Sequence, residues 1–383
     1  MSTQPVFTPL PDATPLAQTE VPMPPPSDRN RASRTERASL VPSLAQVAAR
    51  AGVSVATASR VINGVANKAT EETAERVRAA IRELGYRPGS VGRALRRRES
   101  RIVGVLAANL ANPSMAAIAS SIEWSLRGEG LVMSLCDTHE RADVQDEYIR
   151  EMRAQLVRAM ILVGAVDSPA LDEARAGGDT LVFVNRPDPG DPSSPYVGID
   201  NAGAGAEIAD RLLERGVRRI GVLHASLDRT AGHWRLSGLF DRLAAAGVDT
   251  ATIPCATGPG LDHIVVGYHA MGAMLERPDR PEVIVCLSDL LAYGAYRRAR
   301  ESGLEVPGDV AFFGFDDNPI NPWIADWLNS VRVPADHFGP AIVGMLHRLW
   351  DGERPEPLLL THRLTIRNRR LPGESPPGLP ASS

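Results

Sequence analysis

Seven short apolar runs punctuate the chain: IVGVLAA, GLVMSLC, AMILVGAV, TLVFVN, RIGVLHA, VIVCLSD and VAFFGFD, between Ile102 and Asp316. A stretch with helical spacing separates each from the next. Neighbouring positions in each run are both apolar, so the pattern predicts strands covered on both faces, as in parallel sheets flanked by helices. Seven such runs overfill one comfortable sheet and predict two α/β lobes with a cleft between them. A small-molecule site in such a fold lies at the carboxyl ends of the strands.

Before Ile102 the period is helical throughout. Ser43 is placed to cap a helix LAQVAARA whose Leu44, Val47 and Ala48 share a face, with Gly52 as its stop. Ser54 is placed to cap a second helix from Val55 to Asn63. A third follows Thr70, with Val77, Ile81 and Leu84 inward and Gly85 ending it. Helix, glycine turn, helix and a supporting third helix is the plan of a helix-turn-helix DNA-binding domain.

The second helix, in GVSVATASRVING, is built from weak helix formers and carries one charge, Arg60. A helix entering the major groove must bring its backbone near the bases, so small side chains are tolerable there. Val55 and Ala56 can touch a thymine methyl, and Arg60, on the same face, can bond a guanine bidentately. Ser54, Thr57, Ser59 and Asn63 have the short polar groups that bond phosphates and fix register.

Charge supports this division. The formal net charge is −4, yet residues 43–98 hold eleven basic against four acidic side chains. Residues 99–383 hold 27 against 38. A basic module joined to an acidic one points to a polyanion partner for the first. The cysteines Cys136, Cys255 and Cys286 are scattered, which suggests a reducing compartment and neither a disulfide framework nor a metal site. No apolar run is long enough to span a bilayer, and residues 1–26, rich in proline, do not read as a signal peptide. The expected location is the cytoplasm, with no membrane partner.

SLAQVAARAGVSVATASRVING, followed by TEETAERVRAAIRELGYRPGSVGRALR, resembles the headpiece of the LacI/GalR family of bacterial transcription regulators. Its Val-Ala pair is similar to the galactose-repressor branch. The likeness continues through RIVGVLAANLANPSMAAI, RLSGLFDRLAAAG and SDLLAYGAYRRARESGLEVPGDVAFFGFDD. The resemblance implies a two-lobed core like that of periplasmic binding proteins. It implies a homodimer on a pseudo-palindromic double-stranded DNA operator and a small-molecule effector between the lobes. It also implies that Gly89–Arg96 becomes a hinge helix whose Leu95, with Arg93 and Gly92 beside it, enters the minor groove as a wedge. Gly92 stands where the family has alanine, and glycine costs a helix interior about 1 kcal/mol.

For the cleft, the resemblance implies that Arg235 bonds effector oxygens opposite the carboxylate of Asp289. Arg229 matches a second arginine of the purine-binding branch. Asn112, Ser114 and Met115 after the first strand, and Asn185 and Arg186 after VFV, are expected to face the cleft. Asp316 and Asp317 read as turn residues. The usual aromatic after the first-loop asparagine-proline is absent, so a sugar or sugar derivative is the first expectation and a nucleoside the second. No HExxH, GxSxG or complete dinucleotide loop occurs, so an enzyme is not expected, nor is a cofactor or a metal ion. The same fold also serves solute-binding proteins, and an activator is as compatible with the sequence as a repressor. No leucine-heptad tail follows the core, which favours a dimer over a tetramer.

The expected organisation is a disordered tail over 1–42, a helix-turn-helix domain over 43–88, a hinge over 89–100, a core over 101–370 and a tail over 371–383. Within the core, one lobe is expected to take about 101–198 and 333–352, the other about 199–332 and 353–370.

Overall fold

The computed structural model describes residues 42–62, 70–86, 100–225, 227 and 231–368. Backbone contacts divide the chain into two units, Met1–Gly92 and Arg93–Ser383.

The first unit contains α1 (Leu44–Ala51), α2 (Val55–Ile62) and α3 (Glu71–Leu84). The Ser43 hydroxyl accepts from the Gln46 amide at 3.3 Å, and the Gln46 side chain accepts from the Ser43 amide at 2.7 Å. This reciprocal pair satisfies two of the free amides at the start of α1. Gly52 and Gly85 follow α1 and α3 at φ 65° and 63°, a region that costs a glycine little. The core is formed by Val47, Ala48 and Ala51 of α1, Ala58 of α2, and Val77 and Ala80 of α3. Leu44, Ile81 and Leu84, expected inside, lie at the rim. Alanine at the centre allows the helices to close on one another, which explains the small side chains of α2 from the inside as well.

The second unit has two six-stranded sheets. The first takes β1 (Ile102–Ala107), β2 (Val132–Asp137), β3 (Ala159–Val163), β4 (Leu181–Val184), β5 (Tyr196–Ile199) and β11 (Leu358–Leu360), ordered β11-β5-β4-β3-β1-β2. The second takes β6 (Ile220–Leu223), β7 (Cys255–Ala256), β8 (Val283–Cys286), β9 (Ala311–Asp316), β10 (Leu328–Arg332) and β12 (Arg363–Thr365), ordered β12-β10-β9-β8-β6-β7. Every pairing is parallel except β10 with β12. Helices α4 (Pro113–Gly128), α5 (Ala142–Ala154), α6 (Pro169–Ala176) and α12 (Ala335–Trp350) belong to the first lobe. Helices α7 (Asn201–Glu214), α8 (Ala231–Ala245), α9 (His263–Leu275), α10 (Asp289–Glu301) and the short α11 (Asn321–Ile324) belong to the second.

Three crossings join the lobes: at Asp200, at Val333–Pro334 and at Thr361–His362. The last one differs from expectation. The sequence places residues 353–360 in the second lobe, but Leu358–Leu360 pair with Val197–Ile199 in the first sheet. Leu358 and Leu359 stay exposed at this edge and only Leu360 is half-buried, so backbone pairing with β5 places the segment here.

Candidate functional site

In the first unit, α2 has two unlike sides. Ala58 is fully buried, whereas Val55, at 49% exposure, Ala56 and Arg60 face outward. Among the described residues Arg60 has no carboxylate partner, although Arg50 pairs with Glu83 at 2.7 Å and Arg82 with Glu75 at 2.8 Å. Ser54 is engaged locally: its Oγ accepts from the Thr57 amide at 3.1 Å and lies 2.9 Å from the Thr57 hydroxyl. Ser59 and Thr57 are half-buried at the helix flank. Asn63 and the hinge residues Gly92, Arg93 and Leu95 lie outside the described residues.

In the second unit, Arg235 is positioned by a close helix contact. A Cβ on Gly205 of α7 would overlap the Arg235 carbonyl, and one on Gly238 of α8 would overlap the Ala202 carbonyl. Only glycine lets these backbones touch. GAGAE is therefore a helix start, capped by Asp200, whose carboxylate accepts from the Gly203 amide at 2.8 Å. The Arg235 guanidinium, 4% exposed, donates to Asn201 Oδ1 at 2.9 Å and to the Leu287 carbonyl at 2.8 Å. It stands 4.6 Å over the Phe315 ring and 3.5 Å from the carboxylate of Asp316.

The carboxylate opposite Arg235 is thus Asp316, which corrects the placement of Asp289 there. Asp289 has no exposed surface, and its oxygens are filled within its own lobe. Ser330 Oγ donates to Oδ1 at 2.6 Å, while Asn321 Nδ2 and the Asn318 amide donate to Oδ2 at 2.7 and 2.9 Å. These bonds tie the start of α10 to the segment after β9 and to β10. Burial drives the Asp289 pKa upward, and the nearby charge of Asp316 pushes the same way. Burial also raises that of Asp316, against the pull of Arg235.

Asn112 caps α4, accepting from the Ser114 amide at 2.9 Å. Ser114 is buried and lines one cavity with Asp316 of the other lobe, while Met115 packs near Gly164. Asn185 holds φ 65° after β4, and Arg186 donates to the Ala165 carbonyl at 3.2 Å and stands 4.0 Å from Glu140. Arg229 lies outside the described residues. Five of the six non-glycine residues at positive φ among the described residues are His139, Glu140, Asn185, Asp316 and Asp317. All five end or follow β2, β4 or β9 at the carboxyl ends of the strands. Backbone strain of this kind concentrates at functional sites.

Three polar side chains of this region escaped the sequence reading as site residues: Glu140, Asn201 and His263. His263 opens α9 with Nδ1 3.3 Å from Ser288 Oγ. Its burial lowers the imidazole pKa, against the attraction of Glu140 and Asp262, so the ring is neutral at pH 7. The only sequence signal for it was its position just after a capping aspartate, Asp262.

The description "Bacterial regulatory proteins, lacI family" matches residues 43–89, and "Periplasmic binding protein-like domain" matches residues 209–368. The chain is 32% identical over 303 residues to the HTH-type transcriptional repressor PurR of Proteus mirabilis, covering 78% of this chain and 88% of the relative. It is 31% identical to PurR of Pectobacterium carotovorum subsp. carotovorum, covering 86% and 96%. Among solved structures, the transcriptional regulator CelR in complex with cellobiose is 30% identical with a TM-score of 0.63, covering 85% of this chain and 98% of that one. The Lac repressor dimer bound to operator and the anti-inducer ONPF, 23% identical, shares the fold with a TM-score of 0.69 over 85% and 98%. The two PurR relatives are transcriptional repressors and not enzymes, and no described helix is long and apolar enough to cross a membrane. With its helix-turn-helix unit and its two-lobed α/β core, the chain belongs to the LacI family of bacterial regulatory proteins.

Proposed function

We propose that the protein is a homodimeric repressor whose α2 reads a pseudo-palindromic DNA operator and whose affinity for it is set by a small hydroxylated metabolite, a sugar or sugar derivative, held between the lobes. The observation that carries the effector reading is the Arg235–Asp316 pair. It offers a fixed donor fork from α8 and an acceptor at the end of β9, both buried, the arrangement that suits vicinal hydroxyls. Ser114 and Met115 leave the first-lobe loop without a ring to stack on a flat base. The cellobiose bound to CelR supports the same ligand class. For DNA, the reading rests on Val55, Ala56 and Arg60 being exposed together on one helix. Leu95 is assigned the minor-groove wedge, and Ser54, Thr57, Ser59 and Asn63 the phosphate contacts. A second copy is assigned to the apolar segment Ile320, Trp323 and Ile324, exposed by 44%, 85% and 60%.

The mechanism is a change in the angle between the lobes that biases the hinge, with a coupling free energy of about 1–3 kcal/mol. The test is a thermal-shift screen of the whole protein against monosaccharides, disaccharides, polyols, sugar acids and nucleosides, repeated with Arg235→Ala. A sugar that stabilises the protein, loses that effect in the variant and alters operator binding is the expected result. A nucleoside as the sole hit, or a sugar hit indifferent to Arg235, would overturn the reading.

A further inference from the structure

The cavity that Ser114 and Asp316 line, about 890 Å³ in volume, extends away from Arg235 between α4 and the strands β10 and β12. Trp124, 72% exposed, and Ser120 form part of one wall, and Arg332, Arg363 and Arg367 part of the other. Three aspartates also line it, and each has another partner. Asp317 pairs with Arg367 at 2.6 Å, Asp316 faces Arg235, and Asp336 stands 3.7 Å from His337. That leaves two arginines unmatched. Arg332 and Arg363 are directly opposed across the antiparallel β10–β12 ladder, both exposed, and neither guanidinium makes an ion pair or hydrogen bond among the described residues. Like charges placed opposite each other on neighbouring strands destabilise the pair. Two guanidiniums side by side are also the arrangement that a doubly charged oxyanion satisfies.

We propose that Arg332 and Arg363 form a second binding site, distinct from the Arg235 pocket, for a small phosphorylated metabolite. Its phosphate bridges the two guanidiniums and its body lies toward Trp124 and Ser120. The cavity is bounded by α4 of the first lobe and by β10 and β12 of the second, so an occupant touches both. Arg332 is also the register partner of Asp316 on β9. A phosphate on Arg332 thus loads the strand beside the one that ends in the carboxylate facing Arg235. Occupancy therefore changes the effector site, a coupling that rests on the cleft reading above, whereas the site itself does not.

The probe is inorganic pyrophosphate, with inorganic phosphate alongside, titrated into the full-length protein by calorimetry and thermal shift at ionic strength matched with potassium chloride. A saturable rise in melting temperature is expected, with affinity falling at least roughly tenfold in Arg332→Ala/Arg363→Ala, because two charge-assisted contacts are lost. Arg235→Ala should retain pyrophosphate binding even if it fails the sugar screen, which separates this site from the cleft. The unliganded double variant should melt no lower than the wild type, since it removes a repulsion. The proposal is overturned by the absence of saturable binding, by binding retained in the double variant, or by a double variant that melts several degrees lower. It is equally overturned if light scattering shows that the double substitution changes the association of copies while pyrophosphate binding stays intact, for the arginines then serve a protein interface.

Discussion

Replacing Asp289 tests whether this carboxylate is an internal tie or a ligand contact. In Asp289→Ala, three donors lose their acceptor: the Ser330 hydroxyl, the Asn321 side chain and the Asn318 amide, at 2.6, 2.7 and 2.9 Å. Ser330 and Asn321 are fully buried, and water cannot readily replace the lost oxygens. An unsatisfied buried donor costs about 1–3 kcal/mol, and because the three share one network the sum is about 3–5 kcal/mol rather than three full penalties. At about 2–4 °C per kcal/mol for a domain of this size, the melting temperature should fall by roughly 6–20 °C. Asp289→Asn keeps the shape. Its amide oxygen can accept from Asn318 and Asn321 while its amino group donates to the Ser330 hydroxyl, for a cost of about 1 kcal/mol or less.

The pH dependence has a definite sign. Burial and Asp316 raise the folded-state pKa of Asp289 above its unfolded value. Its contribution is then fully present below the ordinary carboxylate range, near pH 4, and is lost as pH rises through the raised value. The asparagine variant has no such titration, so any deficit relative to wild type should be largest in acid and should narrow as pH rises toward neutrality. Melting curves of the three proteins from pH 4 to 8 measure this. If Asp289→Ala melts within 2 °C of wild type, the assignment of Asp289 as an internal tie is wrong and its place opposite the ligand is restored.

Arg60→Ala should cost about 1–3 kcal/mol of operator binding and relax preference at one base pair per half-site, with an unchanged melting temperature; selection from random DNA that returned the wild-type consensus would refute the base-reading role. Ala58→Leu should unfold or loosen the first unit by about 1–3 kcal/mol through overpacking while the second unit keeps its own transition, as circular dichroism and calorimetry would show. Gly205→Val should push α7 away from α8 and carry Arg235 out of register, abolishing any sugar-induced thermal shift; a retained shift would mean that Arg235 does not need this contact. Trp323→Ser should lower the fraction of dimer in sedimentation equilibrium, and an unchanged fraction would place the interface elsewhere.

Local punctuation was legible in the chain, because a cap or a stop is decided by a few neighbours. Ser43, Gly52, Ser54, Thr70 and Gly85 stand at the helix ends where the pattern placed them. Long apolar strands were legible for a similar reason. The strand β10, LNSVR, was hidden because two of its buried residues are polar. Asn329 Oδ1 accepts from the Arg367 and Asn368 amides at 3.0 Å, and Ser330 binds Asp289. Such residues read as loop until their partners, tens of positions away, are known. The choice between Asp289 and Asp316 was illegible on the same account. Both open or close an element near the cleft, and only the β9–β10 register and the φ of 107° at Asp316 decide which one meets Arg235. GFDD reads as a turn, but its first three residues close β9, and that strand end aims the Asp316 carboxylate.

The three crossings have a consequence for how the core comes apart. Neither lobe is a contiguous piece of chain: the first is completed by residues 335–360, and the second resumes at residue 363. No single cut or truncation can release a lobe intact, and a protease that nicks one crossing leaves two backbone tethers in place. Each lobe also needs the far end of the polypeptide to finish its sheet, so a ribosome-bound chain cannot complete either before nearly all of the core is synthesised. The expected behaviour is one cooperative calorimetric transition for two sheets, and a nascent core that depends on protection until its last strand is made.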